Sequence, residues 1–239
     1  MTHPPTSDLA ATAAALAFTR LVHFTPARNL AHILRDGQLR SSKELAEVAP
    51  EQFSPTDKER FDRHPDHLCC SFEYPNAYYR DIAGRKPEHV NYPNWVILTL
   101  AKALVLKPGA LFCGCNAAKS GGVHLKPGAK ALADCWANPS IPAGRPLTPA
   151  HLVSTPTDLQ AEALIPGPVP LSEVTGIIVA SEDVAAEQQA ILRRIYIDPE
   201  LLPWKVAPVL FQKLGLTRAI QSGTQPEETP WDGAQEDPW

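Results

Sequence analysis

The chain has 239 residues, a hydrophobic fraction of 44% and a formal net charge of −4, values typical of a globular protein with enough apolar surface to form a core. The negative charge argues against a protein that wraps duplex nucleic acid through a broad basic face, so any contact with nucleic acid should be local. Five cysteines in a chain too large to need disulfides, with no recognisable export signal, predict reduced thiols and a cytoplasmic protein.

The N-terminal third predicts two helices around a strand. The apolar run at 9–18 predicts a helix and is too short to span a bilayer, so no membrane association is expected. Residues 21–24 predict a strand, and the apolar residues of 30–34 recur at helical spacing before Gly37, which suits a helix C-terminus. Residues 41–67 are charged and contain several prolines, which predicts an irregular, partly helical and mobile surface segment.

The middle and late parts of the chain alternate between apolar runs and loops. Core strands are predicted for the runs HLCCSF, NWVILTL, ALFCGCNAA and TGIIVAS. An amphipathic helix is predicted for EDVAAEQQAILRRI, and a last strand for KVAPVLF. Residues 116–155 are expected to be loop-like. The absence of a glycine-rich dinucleotide motif and of a P-loop motif argues against a Rossmann or P-loop enzyme.

The C-terminal end differs in composition from the rest of the chain. It is acidic, rich in proline and poor in aliphatic residues, so it cannot bury enough apolar surface to fold alone. We therefore expect one domain over residues 1–215 and a disordered acidic tail over residues 216–239.

Gln160 and Glu162 form a Q-x-E motif in a segment that is predicted to be a strand. Side chains two apart on a strand point to the same face. Such a pair can present a carboxylate that stabilises a positive centre and an amide that orients a second reactant. For the motif alone, a polar stripe on an exposed strand edge is the alternative.

Three segments, in order between about residues 20 and 200, resemble the DarT-type ADP-ribosyltransferases. They are HFTPARNLAHILRDGQL, CSFEYPNAYYRD and DLQAEALIPGPVPLSEVTGIIV. The resemblance implies an α+β fold, with a split, mainly antiparallel sheet flanked by helices. It also implies a toxin-like enzyme that uses NAD as its substrate, without a metal, and transfers ADP-ribose to a nucleobase of single-stranded DNA or RNA.

The resemblance also implies roles for individual residues. Glu162 matches the catalytic glutamate and Gln160 the residue that faces the acceptor. His23 and Thr25 match the start of the family's NAD site, and Asn29 either caps the next helix or contacts the dinucleotide. Breaking the nicotinamide–ribose bond creates an oxocarbenium-like sugar, which a carboxylate at ~4 Å stabilises by on the order of 4 kcal/mol.

The second segment contributes aromatic groups suited to stacking on nicotinamide and a basic group suited to neutralising the pyrophosphate, although an ordinary aromatic core cluster is the alternative. Its residues are Ser71, Phe72, Tyr78, Tyr79 and Arg80. Arg80 is the candidate for a second, basic catalytic residue. Related enzymes carry an arginine nearer the position of Asn76, so the identity of the basic group stays open.

The predicted loop after the third strand has three interpretations. A zinc site is disfavoured, because its C-x-C spacing is not that of a zinc knuckle; its residues would be Cys113, Cys115, His124 and Cys135. A basic lip that guides a single strand, with Trp136 stacking on a base, would use His124 and three lysines: Lys119, Lys126 and Lys130. A solvated lysine loop is the third interpretation.

Two other functions are compatible with the same residues. One is a protein ADP-ribosyltransferase or NAD glycohydrolase, in which a side chain or water replaces the nucleobase. The other is a non-catalytic module that only recognises a nucleotide or a protein. As partners we expect NAD, a single-stranded nucleic acid, and an antitoxin of the macrodomain type or a chaperone.

Overall fold

The computed structural model describes residues 6–48, 60–86 and 94–233. Its α-helices, α1 to α7 in chain order, are Thr6–Ala15, Leu30–Asp36, Ser42–Val48, Ala77–Ala83, Gly128–Asp134, Glu182–Arg194 and Lys213–Gln221. Its strands, β1 to β11, are Arg20–Pro26, Gln38–Leu39, His67–Phe72, Trp95–Ala101, Leu111–Cys113, Lys126–Pro127, Glu162–Pro166, Val169–Pro170, Val174–Val179, Trp204–Val206 and Thr229–Trp231. In the described ranges, no helix is both long and apolar enough to cross a bilayer.

Nine of these strands form one sheet in the order β11-β10-β9-β4-β1-β3-β7-β5-β6. The pairing of β9 with β10 is parallel, and the other pairings in this sheet are antiparallel. β2 and β8 form a separate two-stranded sheet. The predicted α+β class with a mainly antiparallel sheet is confirmed.

The best-predicted elements are those whose sequence pattern matches their burial. β4 is buried from Trp95 to Leu100, which explains its uninterrupted apolar run, because a strand covered on both faces does not alternate. α6 begins after Ser181, whose hydroxyl accepts the Val184 N–H, and acidic residues in its first turn complement the helix dipole. α2 ends at Gly37, which adopts the left-handed conformation with φ 69°.

The sheet is split between β1 and β3. Their backbones pair only at Leu21 with Phe72 and at Val22 with Ser71, whereas β1 pairs with β4 along its whole length, from Arg20 to Pro26. Beyond Val22 the two strands separate, and a cleft opens between them.

Two of the predicted irregular regions contain helices. Residues 116–155 include α5, which buries Ala131 and Leu132 against the core. This apolar face is too small to give a helical pattern in the sequence. Within the predicted excursion 41–67, the chain forms α3, while residues 49–59 lie outside the described residues. The predicted strand KVAPVLF is shorter than expected, because a 3₁₀ turn follows β10 from Pro208.

The C-terminal segment is folded as far as Gly233. α7 includes residues 216–221, and β11 extends the sheet by pairing Trp231 with Trp204. Glu228 accepts hydrogen bonds from the Arg20 guanidinium through both carboxylate oxygens, and from Lys205 at 3.1 Å. The expectation of a disordered tail from residue 216 is therefore wrong for the part that is described, and residues 234–239 lie outside it.

This docking predicts that Glu228→Gln will destabilise the fold. The substitution removes the charge from a largely buried pair and leaves Arg20 with only the more distant Glu73 carboxylate, at 3.8 Å, so the free energy of unfolding should fall by about 2 kcal/mol. In a chain of this size that loss lowers the melting temperature by about 4–8 °C. Glu227→Gln is the matched control, because Glu227 is exposed. Equal melting temperatures for the two variants would show that the ion pair does not hold the segment.

Candidate active site

A cavity of about 360 Å³ lies in the cleft between β1 and β3, within the roughly 300–1,000 Å³ range of small-molecule sites. The facing residues of β1 and β3 form two of its sides, and α2 and the start of β7 also contribute. Loop residues Arg60, Asp62, Asn116 and Ala118 also line it, as do residues of β2, α3 and the start of α4. The split in the sheet therefore creates a pocket that Glu162, the first residue of β7, reaches.

Glu162, the first residue of β7, lies buried in this cavity. It is paired with Ser71 of β3 on one side and Cys113 of β5 on the other. Its Oε1 accepts a hydrogen bond from Asn76 Nδ2 at 3.0 Å, and its Oε2 accepts the Ala117 N–H at 3.2 Å. The carboxylate is thus held in one orientation by donors from two directions.

Burial raises the pKa of Glu162 to about 7, although the hydrogen bonds from Asn76 and the Ala117 amide oppose this shift. A carboxyl group with such a pKa exchanges its proton near neutral pH. That is the property required of a general base, whose pKa is most effective near the working pH.

Two asparagines position the carboxylate. Asn76 is the N-cap of α4, where its Oδ1 accepts the Tyr79 N–H at 3.1 Å, leaving its NH₂ group to donate to Glu162. Asn116 accepts the Ala118 N–H at 3.0 Å and donates to Glu162 Oε1 at 3.3 Å. Asn116 was not among the predicted site residues. Its only sequence signal is its place just after a strand, where asparagine commonly forms side-chain-to-backbone turns.

His23 bridges the split in the sheet. Its Nδ1 donates to the Cys69 carbonyl of β3 at 2.9 Å, just beyond the last backbone pair between β1 and β3. Burial lowers the pKa of His23, an effect that the hydrogen bond to Cys69 opposes. The neutral ring therefore carries its proton on Nδ1 and leaves Nε2 as a hydrogen-bond acceptor in a residue that lines the cavity.

Thr25 and Asn29 form a second polar pair on the cavity lining. Asn29 occupies the N-cap position of α2, but its side chain makes no capping bond and donates instead to Thr25 Oγ1 at 2.9 Å. Of the two predicted roles for Asn29, helix capping is therefore wrong.

Arg60 supplies a guanidinium group to the cavity, although it was not among the predicted site residues. It pairs with Asp62 at 3.0 Å, donates to Ser42 Oγ at 2.8 Å, and also contacts the carbonyl oxygens of His64 and His67. Its backbone has φ 40°, in the left-handed region that is unusual for an arginine. The sequence offered no pattern that distinguished it within a charged, irregular segment.

Gln160 does not share a strand face with Glu162. The strand begins at Glu162, and Gln160 lies in the preceding turn, where its N–H bonds to Asp158 Oδ1 at 2.9 Å. It is not among the residues that line the cavity. The expectation that these two side chains are presented together is therefore wrong.

The aromatic and basic residues of the second segment divide between the site and the core. Ser71 and Tyr79 line the cavity. Phe72 packs edge-to-face on Phe18, and Tyr78 contacts Thr217 of α7, so both lie outside the cavity. Arg80 is also outside it.

The predicted basic lip is not assembled as expected. Lys130 pairs with Asp134 on the same helix at 2.7 Å. Trp136 stacks on Phe18, with ring centroids 5.4 Å apart, and packs against the core, so it is not available to stack on a base. Lys126 and Lys119 are exposed, and Lys119 directly follows the cavity-lining Ala118.

The five cysteines are free thiols. Cys113 and Cys115 hydrogen-bond through their sulfur atoms at 3.3 Å. Within the described ranges, the residues whose ligand atoms converge closely enough for a metal ion are His64, Asp66 and His67. The disfavoured zinc site of cysteines and His124 is not assembled there.

A family model described as "ssDNA thymidine ADP-ribosyltransferase, DarT" matches residues 22–206. No functionally curated protein matches the sequence.

Solved structures with the same fold come from two bacteria. Thermus sp. 2.9 DarT in complex with ADP-ribosylated ssDNA aligns with a TM-score of 0.57 at 19% identity, covering 81% of this chain and 96% of that one. The same protein in complex with carba-NAD+ aligns at 0.53 and 21% identity, covering 81% and 97%. Thermosipho africanus DarTG in complex with ADP-ribose aligns at 0.53 and 16% identity, covering 81% of this chain and 51% of that one. The chain thus spans about half the length of the Thermosipho protein.

Proposed function

Since the chain belongs to the DarT family of ssDNA thymidine ADP-ribosyltransferases, we propose that it transfers ADP-ribose from NAD to thymidine in single-stranded DNA. The observation that carries this proposal is Glu162, a buried carboxylate with a pKa of about 7 in a cavity of about 360 Å³. The Thermus relative with the same fold was solved with ADP-ribosylated ssDNA and with carba-NAD+, which supports the same donor and acceptor here.

NAD occupies the cavity between β1 and β3 in this proposal. His23 Nε2 accepts a hydrogen bond from a hydroxyl or amide of the dinucleotide, and the Thr25–Asn29 pair supplies further polar contacts. Tyr79, which lines the cavity, provides an aromatic face for nicotinamide. These residues lie close enough to Glu162 to share one ligand, because they line the same cavity.

Glu162 acts on the reacting carbon and on the acceptor. As the bond between ribose and nicotinamide breaks, its electron pair leaves with nicotinamide and positive charge develops on the sugar, which the carboxylate stabilises. A ring nitrogen of the base then bonds to the anomeric carbon. The proton of that nitrogen passes to Glu162, whose pKa suits this role.

Arg60 takes the basic role that the sequence suggested for Arg80. Its guanidinium group lines the cavity and is held in place by Asp62 and Ser42. We assign it to the negatively charged part of NAD through its positive charge, because its N–H groups already bond to Asp62, Ser42 and the carbonyl oxygens of His64 and His67.

We also propose that the protein acts as a toxin and that an antitoxin restrains it. The support for the toxin role is the resemblance of the sequence to DarT-type toxins. The corresponding measurement is growth of a host culture after induction of the wild type and of Glu162→Gln. Growth arrest by the wild type alone supports the toxin role, and equal growth contradicts it.

The acceptor is tested by incubating the protein with labelled NAD and separate pools of single-stranded DNA, RNA and protein. We expect label on single-stranded DNA that contains thymidine and none on the same sequence with thymidine replaced. Label on RNA or on protein instead would contradict the proposed acceptor and identify that class of molecule as the acceptor. Release of nicotinamide without label on any pool would identify an NAD glycohydrolase instead.

A further inference from the structure

Two cations occupy adjoining turns at the edge of the cavity. Arg63 follows the cavity-lining Asp62, and Lys119 follows the cavity-lining Ala118. Both side chains are exposed. The two turns come from distant parts of the sequence, so their meeting is a property of the fold.

Glycines allow the two turns to pack closely. A Cβ on Gly121 would lie 3.4 Å from Arg63 Nη2 and 3.7 Å from Arg63 Nε, so the guanidinium group rests on the glycine. A Cβ on Gly122 would lie 2.5 Å from the Asp62 carbonyl oxygen, which is too close for any other residue. Both glycines have positive φ, 68° and 81°, which other residues rarely adopt. The two glycines therefore allow Arg63 to pack against the turn that follows Lys119.

Neither cation is neutralised within the part of the chain that is described. The salt bridges there leave out both Arg63 and Lys119, whereas the neighbouring Arg60 is paired with Asp62 and Lys130 with Asp134. Asp62, the carboxylate closest in sequence to Arg63, is also occupied by the N–H of His64 at 2.9 Å. The edge of the cavity thus presents positive charge to an incoming anion, although the whole chain carries a net charge of −4.

We propose that Arg63 and Lys119 bind a backbone phosphate of the single-stranded DNA acceptor. The proposal rests on the proposed function and adds a site for the strand beside the site for NAD. Lys119 lies in the same loop as Asn116 and Ala117, which both donate hydrogen bonds to Glu162. A phosphate bound at this edge would therefore bring the adjacent base toward Glu162. Contacts to phosphate position the strand and do not select the base.

The experiment measures binding of a fluorescein-labelled, thymidine-containing single-stranded oligonucleotide by anisotropy, without NAD, over a range of salt concentrations. The variants are Arg63→Gln, Arg63→Lys and Lys119→Gln. Arg194→Gln is the matched control, because Arg194 is an exposed arginine on α6, which packs against the β9–β10 half of the sheet. The melting temperature and NAD affinity of each variant report whether the fold and the cavity are intact.

We expect Arg63→Gln to weaken binding roughly tenfold, as expected for loss of a charge-assisted hydrogen bond. The slope of log affinity against log salt should become shallower by about 0.7, the value for one phosphate on a single strand. Arg63→Lys should recover part of the affinity, and Arg194→Gln should bind like the wild type. Wild-type affinity and slope in Arg63→Gln, or no binding by the wild type, would overturn the proposal. Because binding is measured without NAD, failure of the transfer reaction leaves this result unaffected.

Discussion

Glu162→Gln is expected to reduce transfer of ADP-ribose to single-stranded DNA by about three orders of magnitude. In the proposed reaction the carboxylate acts on charge that develops as nicotinamide leaves, and at ~4 Å this interaction contributes on the order of 4 kcal/mol. Glutamine has nearly the same shape but carries no charge and cannot accept the proton. NAD affinity should change by no more than a few fold, since the substitution affects the transition state more than the bound substrate.

This prediction is checked by single-turnover transfer of labelled NAD, together with direct NAD binding. Glu200→Gln is the control, because Glu200 is an exposed glutamate outside the cavity. The wild-type rate should also rise with pH through about 7, as Glu162 ionises. Substantial activity in Glu162→Gln would contradict the assigned chemistry, and so would a large loss of NAD affinity without a change in rate.

The same substitution should change how the stability of the fold depends on pH. Burial raises the pKa of Glu162 from 4.5 to about 7, so between these values the folded protein holds a proton that the unfolded chain has released. Stability therefore falls as pH rises through this window. Over this difference in pKa, the loss is about 3 kcal/mol. The wild type should thus lose about 3 kcal/mol of unfolding free energy relative to Glu162→Gln between pH 4.5 and pH 8.

Denaturant unfolding of both proteins at several pH values measures this difference. At pH 8 the unfolding free energies of the two proteins should differ by less than this pH effect, because glutamine also weakens the hydrogen bonding at this position. Glutamine can accept a bond from either Asn76 or Ala117 but turns its own N–H groups toward the other. Glu200→Gln should follow the wild type at each pH. Parallel pH profiles for the wild type and Glu162→Gln would mean that the carboxyl group is not protonated in the folded state near neutral pH.

The sequence predicted those parts of the fold whose evidence is local. The strands HLCCSF, NWVILTL and TGIIVAS are mostly apolar and largely buried, and α6 has a cap and an amphipathic pattern. Glu162 and His23 were reached through short motifs that the family resemblance supported. In each case the informative residues lie within a few positions of one another.

The rest depended on contacts between distant residues. Asn116 and Asn76 reach Glu162 across 46 and 86 positions, and Glu228 reaches Arg20 across 208. An acidic, proline-rich segment has the composition of a disordered tail unless such a partner is known. Gln160 failed for a local reason, since Asp158 closes a turn that delays the start of the strand. The Q-x-E spacing alone could not show where that strand begins.

The split between β1 and β3 also has a mechanical consequence. Their backbones are joined at Leu21 and Val22, and the next connection across the gap is the bond from His23 to Cys69. On one side of this seam the sheet contains β1, β4, β9, β10 and β11, and on the other side it contains β3, β7, β5 and β6. Because β1–β4 and β3–β7 are paired along their length and β1–β3 is not, we expect the sheet to deform more easily at this seam than at its neighbours. Because His23 lies on β1 and Glu162 on β7, we expect a movement at this seam to change the distance between the two residues that we propose to bind NAD and to act on it.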